Sequence, residues 1–417
     1  MGVPEQPRFS RRDFLRLLGK GAKLAVASSI MFNLRGSETT GGSKEAPMYM
    51  RTDAAEFRAK RRVVPFVSDY LPDELEYTLD QRLSFYTKLK ELGVAGVRTE
   101  FRLGKLMRDD GSFDLNIEKS YRESLKAMKE AGLSLSALVL FSPAEWMVDL
   151  AQHDETAFLL VYQSFIEKAQ MICDQAGLQP TFVQVMNEVN NSFFKNFEQS
   201  TIVKMIDVTH QAYSLRTDKP KIMTTIITNT AFADRSKWRK DVETLVKRAG
   251  DALEAVGFDY YFAYDHPLEP LMPQSVFDLY KDKKEVFEWL LEQKSTGFLR
   301  DKEVLIAEMG MPVFQKSDFP VYNDWFAQIG YDLYYRAIDH VMLQWERQGG
   351  KAEDFISHVG LFCGGDHAAV QTYAPGKIDF LPWTLLHFNK ETKDWDLTDA
   401  AKRLPYLNST RLNPQGS

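Results

Sequence analysis

The sequence predicts an α/β protein built as a single (β/α)8 TIM barrel with a long loop after the eighth strand. Three observations predict it. Eight short strand-like runs fall at 62–67, 96–103, 135–142, 181–188, 222–229, 257–265, 304–309 and 358–363. Amphipathic helical patterns separate them, and strands alternating with helices build a parallel sheet. Most of the runs are almost continuously apolar, as strands covered on both faces must be. A doubly wound open sheet is the competing architecture. It usually carries a Gly-rich phosphate turn after the first strand, and here that turn reads Ser68-Asp69-Tyr70-Leu71-Pro72. Eight units over about 350 residues fit the barrel.

The helical stripes are regular. Phe85, Leu89 and Leu92 recur at helical spacing before Gly93. Ile117, Tyr121, Leu125 and Met128 do so before Gly132, and Phe158, Tyr162, Phe165, Ala169 and Ile172 before Gly177. Glycine suits the left-handed position that ends a helix. Later helices read at 198–216, 238–254, 275–294 and 321–349, with a weak one near 397–404. The stretch from Gly364 to Asp396 carries Trp383, Trp395, His367 and His387. Following the eighth strand, it is placed either as a lid over the catalytic face or as a packed surface excursion.

The N-terminus reads as an address, not as part of the barrel. Ser10-Arg11-Arg12-Asp13-Phe14-Leu15-Arg16 resembles the twin-arginine export motif, and a short apolar stretch, Leu24 to Phe32, follows it. The alternative is a basic, disordered arm. The expected organisation is a twin-arginine signal over residues 1–40, a linker over 41–60 and a catalytic barrel over 61–410. That implies the twin-arginine export machinery as a partner and a periplasmic or secreted location, with membrane retention if the signal stays uncleaved. No run of apolar residues is long enough for a conventional spanning helix.

Composition removes other classes. With 52 Lys and Arg against 58 Asp and Glu, the net charge is −6, which argues against a nucleic-acid backbone binder. Two cysteines, Cys173 and Cys363, fall in an amphipathic helix and a buried strand, so a disulfide framework is not expected.

Catalytic groups in such a barrel come from the C-terminal ends of its strands. Here the ends offer Ser68 and Asp69, Arg98 and Glu100, Ser142 and Glu145, Asn187 and Glu188, Thr228 and Asn229, Tyr264 with Asp265 and His266, Glu308, and Asp366 with His367. The inventory is rich in carboxylates and poor in nucleophile or metal patterns. No His-x-His marks the first strand, so neither a metal nor another cofactor is expected.

Asn187-Glu188 at the fourth strand end and Glu308 at the seventh resemble the "4/7" superfamily of retaining glycoside hydrolases, clan A. The resemblance implies that Glu188 is the general acid/base, that Asn187 binds the sugar 2-hydroxyl and that Glu308 is the nucleophile. Arg98 is similar to the family's second-strand arginine near the nucleophile, and Tyr264 and His266 to its sixth-strand aromatic and histidine. Retention at an anomeric carbon needs one carboxylic acid to protonate the leaving oxygen and one carboxylate to attack, about 5–5.5 Å apart. Arg98 beside Glu308 would keep the nucleophile ionised, and that charge would keep Glu188 protonated. Read from the residues alone, Arg98 fits equally an ion pair with Glu100 or Asp69, and His266 a loop histidine. Trp146 and Trp383 fit sugar-stacking platforms or ordinary packing.

The expected activity is double-displacement cleavage of an O-glycosidic bond, β-linked, in a poly- or oligosaccharide. The family's eighth strand usually ends in Trp, whereas here Gly360-Leu361-Phe362-Cys363-Gly364-Gly365-Asp366 places Gly there. That departure leaves the substrate open. It also supports the alternative, a non-catalytic carbohydrate-binding or polysaccharide-assembly protein on a glycosidase-like barrel.

Overall fold

The computed structural model describes residues 63–73, 75–190, 197–228, 237–261, 273–310, 324–351, 354–365, 385–398 and 401–407. The twin-arginine stretch, Tyr264, His266, Trp383, Asp366 and His367 lie outside the described residues.

Eight parallel strands close on themselves in chain order. They are β1 (Val64–Asp69), β2 (Gly96–Arg102), β3 (Ser134–Phe141), β4 (Pro180–Val185), β5 (Lys221–Ile227), β6 (Ala255–Tyr261), β7 (Glu303–Gly310) and β8 (Ile356–Leu361). Pairing of β1 with β2 on one side and β8 on the other completes the ring. The principal helices are α1 (Leu79–Glu91), α2 (Leu115–Glu130), α3 (Glu145–His153), α4 (Glu155–Ala176), α5 (Gln199–Ser214), α6 (Trp238–Ala249), α7 (Pro273–Thr296) and α8 (Asp324–Arg347). The expected (β/α)8 barrel is therefore the observed one.

Local chemistry sets the helix ends. Thr78 accepts from the Gln81 N–H while the Gln81 side chain returns to the Thr78 N–H, a capping box that starts α1. Gly93, Gly132 and Gly177 all have positive φ, as their positions after the helical stripes require.

Two cores share the strands. Ala137, Phe182, Met223, Ala255, Leu305 and Ala307 fill the barrel interior. The His358 ring stands edge-on to Phe66 at 6.0 Å and to Phe182 at 5.0 Å. The larger core lies between strands and helices and holds Phe85, Tyr121, Tyr162, Trp238 and Tyr334. Inward positions of β1–β8 thus pass from apolar packing below to polar groups near the C-terminal ends.

The periodic reading needs two corrections. β4 stops at Val185, so Asn187 and Glu188 stand in the turn beyond it, where Met186 and Glu188 have φ of 61° and 46°. β6 is described as far as Tyr261, and the remainder of the expected run to 265 lies outside the described residues. The weak helix expected near 397–404 starts later, as short helical turns at Ala401–Arg403 and Leu404–Leu407, and before it β10 (Asp394–Leu397) pairs antiparallel with β9 (Leu386–Asn389). Asp394-Trp395-Asp396-Leu397 alternates with period two, which favours a strand.

That hairpin also decides part of the long loop. Trp395 is buried among Tyr77, Phe85 and Phe388, with ring centroids 5.3, 4.7 and 5.1 Å away. Asp394 accepts from Ser84 Oγ at 2.5 Å and Lys88 Nζ at 2.7 Å. Residues 385–398 are accordingly packed on α1, and His387 is exposed.

Candidate active site

The site forms where β2, β4, β5, β6 and β7 bring polar side chains to the barrel mouth. Arg98 is its hub. It is 3 % exposed, and its guanidinium donates to four partners. Nη1 donates to Glu308 Oε1 and, at 3.0 Å, to Ser68 Oγ. Nε donates to Gln184 Oε1 at 2.8 Å, and Nη2 to Asn187 Oδ1 at 2.6 Å. Ser68 in turn donates to Glu308 Oε1 at 3.3 Å. The planar donor fork of arginine suits several fixed acceptors at once.

Asn187 is held as firmly. Its Oδ1 also accepts from Gln184 Nε2 at 3.0 Å and from Thr225 Oγ1 at 2.9 Å. Because every partner is a donor, the amide orientation follows from the network, and Nδ2 is the end turned out of it. Thr225 Oγ1 accepts the Glu188 N–H at 2.8 Å, which fixes the backbone of the left-handed turn. Just beyond, Asn190 bonds both the carbonyl and the N–H of Ile227, at 2.9 Å each, and so extends the pairing of β4 with β5 into the loop.

Glu308 reaches the site through an irregularity. Phe258 pairs with Ile306, but the next residue, Asp259, pairs with Glu308, so β7 bulges at Ala307. A bulge moves the following side chain to the other face of the sheet. Ala307 points into the interior core and Glu308 follows it inward, where regular alternation would turn it out. On the other side, a Cβ on Gly360 would lie 2.1 Å from the Ala307 carbonyl oxygen. Glycine at 360 leaves room for the bulge.

One carboxyl oxygen of each of Glu188, Glu308 and Asp259 lies within 4.8 Å of one from each of the others. Their residues are 4 %, 1 % and 0 % exposed. Three donor atoms at that spacing fit protons or a cation. The Arg98 guanidinium on Glu308 is already a fixed positive charge there and opposes a second.

Burial raises the Glu308 carboxyl above its ordinary value, with Arg98 and Ser68 pulling it back down. The expectation that Arg98 simply holds Glu308 low is corrected on this point: desolvation outweighs the ion pair. Burial, followed by the charges of Glu308 and Glu188, raises Asp259 well above the carboxylate range. Among the described residues, no donor is hydrogen-bonded to either Asp259 oxygen. The Thr225 hydroxyl, though near enough to offset that rise slightly, gives its single proton to Asn187.

Among the expected site residues, Arg98, Asn187, Glu188 and Glu308 come together. Arg98 does not pair with Glu100, which accepts from Ser142 Oγ at 2.5 Å and lies 3.6 Å from Arg102. Nor does it take Asp69, which caps the Leu71 N–H and accepts from Tyr86. Trp146 is half-buried on α3, packed against the outer core, and does not line the cleft. The cleft lies over β1 to β4 and is lined in part by Tyr70, Arg98, Glu100, Phe141 and Asn187. Phe362, the first residue after β8, meets Tyr70 edge-on at 6.2 Å. An aromatic residue thus stands at the eighth strand end after all, one position past Leu361.

Gln184, Thr225 and Asp259 were not expected in the site. Each is a polar residue at an inward position of an otherwise apolar strand, and that is the signal by which they are found.

The family model for glycosyl hydrolase family 53 matches residues 140–319, a little under half of the chain. No curated protein sequence matches. Among solved structures, a β-glycosidase is 11% identical with a TM-score of 0.57, covering 86% of this chain and 98% of its own. The family 1 β-glucosidase from Thermotoga maritima is 9% identical with a TM-score of 0.56, covering 85% and 99%. An exo-β-1,4-mannosidase from an Opitutaceae bacterium is 12% identical with a TM-score of 0.57, covering 85% of this chain and 60% of its own. The barrel is one that glycosidases use. The family match and these barrels together support a glycoside hydrolase. Among the described residues, no helix is long and apolar enough to cross a membrane.

Proposed function

We propose that the protein is a retaining glycoside hydrolase that cleaves a β-linked O-glycosidic bond in a poly- or oligosaccharide. The observation that carries this reading is the approach of Glu188 and Glu308 to within 4.8 Å, measured between oxygens. Retaining enzymes hold their two carboxyl groups about 5–5.5 Å apart, whereas inverting ones leave about 6.5–9.5 Å for a water molecule.

In the first step the Glu308 carboxylate attacks the anomeric carbon. The bond to the leaving oxygen breaks as Glu188 gives that oxygen its proton. In the second step the Glu188 carboxylate takes a proton from water, the water oxygen bonds to the anomeric carbon, and Glu308 leaves as a carboxylate. Arg98 and Ser68 hold Glu308 in place for the attack. Asn187 directs Nδ2 towards the sugar hydroxyl next to the anomeric centre, since its Oδ1 is already taken by Arg98, Gln184 and Thr225. Tyr264 and His266 are assigned to substrate binding by resemblance, and Trp383 as an aromatic platform for the apolar face of a sugar. Residues 1–40 are assigned to twin-arginine export, which places the enzyme in the periplasm or outside the cell.

Turnover of a panel of aryl β-glycosides and β-linked oligosaccharides, with the first-formed anomer read by NMR, tests this reading. A product that keeps the substrate's anomeric configuration is expected. An inverted product would reject the retaining mechanism, and glycan binding without any turnover would favour a binding protein.

A further inference from the structure

Asp259 takes no part in either bond-making step, yet it sits among the groups that do. It lies on β6 in register with Glu308, is completely buried, and has an oxygen within 4.8 Å of both Glu188 and Glu308. Among the described residues, neither of its oxygens has a hydrogen-bond donor. An ionised carboxyl buried without a hydrogen-bond donor carries a desolvation cost of several kcal/mol. An acid that keeps its proton avoids that cost and has one O–H to give.

The groups facing it leave one role. Arg98, from β2, directs its donors to Glu308, Ser68, Gln184 and Asn187. Thr225, from β5, donates to Asn187. Neither offers Asp259 a hydrogen. Glu308 from β7 and Glu188 from the turn after β4 are acceptors whenever they are ionised.

We propose that Asp259 is a positioning residue: a neutral carboxylic acid whose O–H is offered to the Glu188 and Glu308 carboxylates and sets how tightly each holds its own proton. The upward displacement of Asp259, led by burial and reinforced by Glu308 and Glu188, agrees. In the resting site the donor faces an ionised Glu308. Once Glu308 is esterified, the remaining anion is Glu188, and the same O–H tempers its basicity as it activates water. These catalytic consequences rest on the glycosidase reading, whereas the protonation state does not.

The full chain is compared with Asp259→Asn, which keeps an N–H donor, and Asp259→Val, which keeps similar bulk without one. The first readout is thermal midpoint against pH and needs no substrate. Above about pH 4 an unfolded aspartate has lost its proton while folded Asp259 still holds one. The unfolded state then binds fewer protons, so this group makes the parent less stable as pH rises. The midpoint advantage of Asp259→Asn over the parent is expected to widen from about pH 4 upward. Parallel curves would overturn the neutral-acid assignment.

The second readout is the pH profile of kcat/KM on an activated aryl glycoside. Asp259→Asn is expected to stay within a few-fold of the parent, with both limbs in place. Asp259→Val should lose about tenfold and move a limb by about one pH unit. An Asn variant as impaired as Val would mean that an ionised carboxylate is required, and a Val variant equal to the parent would mean a filler; either overturns the proposal. If the parent itself has no turnover, the glycosidase reading fails alone, and the thermal curves still decide the protonation state.

Discussion

Glu308 stands beside Asp259 because β7 carries one more residue than β6 at Ala307. The direction of the Glu308 carboxyl therefore depends on a backbone bulge, and the bulge depends on Gly360. Replacing Gly360 by Ala drives a methyl group against the Ala307 carbonyl, a backbone atom that cannot swing aside as a side chain can. Overpacking of this kind costs about 1–3 kcal/mol. A lower thermal midpoint is expected together with a fall in kcat that exceeds the fall in folded fraction, read by calorimetry and by kinetics on one preparation.

Arg98 joins Glu308 to Asn187, so its loss should affect both. Arg98→Lys keeps the charge but cannot reach Glu308, Ser68, Gln184 and Asn187 together. A loss of about a hundredfold in kcat is expected, comparable to removing one preorganised electrostatic group. Arg98 is also the main influence holding the Glu308 carboxyl down against burial. In Arg98→Gln the acid limb of the pH–rate profile should move to higher pH, because Glu308 ionises later. A limb that stays in place would remove Arg98 from that role.

Thr225 supports the Glu188 turn through its hydroxyl. Thr225→Val leaves the buried Glu188 N–H without its acceptor and Asn187 without one of three donors. A buried unpaired group costs about 1–3 kcal/mol. Stability should fall by that amount in urea titration, with activity falling further, and Thr225→Ser should restore both.

His358 gives the fold an acid-side weakness. Burial between Phe66 and Phe182 pushes its pKa down to about 4, so the ring is neutral in the folded protein. An unfolded histidine takes up a proton near pH 6.5 that the folded one refuses. Stability from this group is full above about pH 6.5 and is lost as pH falls towards 4, by about 3 kcal/mol in all. His358→Leu should flatten that decline in denaturation curves across the same window.

Much of the fold was legible because its signals are local. Apolar runs of strand length and helical stripes ending at Gly93, Gly132 and Gly177 place eight units in order, and numbering them puts Glu188 and Glu308 across one barrel mouth. The bulge was not legible: Val304-Leu305-Ile306-Ala307 reads as an unbroken buried strand, and only pairing with β6 and β8 exposes the extra residue. Asp259 left a trace, a charged residue inside Val256-Gly257-Phe258-Asp259-Tyr260, but attention to strand tips passes over a group one layer down. The strand Asp394 to Leu397 was not legible, because its period-two pattern spans only four residues at the end of an irregular stretch.

The most direct measurement is covalent trapping with a 2-deoxy-2-fluoro glycoside bearing a good leaving group, followed by peptide mass spectrometry. The fluorine slows both steps, and the leaving group restores only the first, so the glycosyl-enzyme accumulates. A single label on Glu308, absent in Glu308→Gln and with its turnover slowed in Glu188→Ala, is the expected result. A label on Glu188, on Asp259 or on any other residue would contradict the assignment of nucleophile and acid/base.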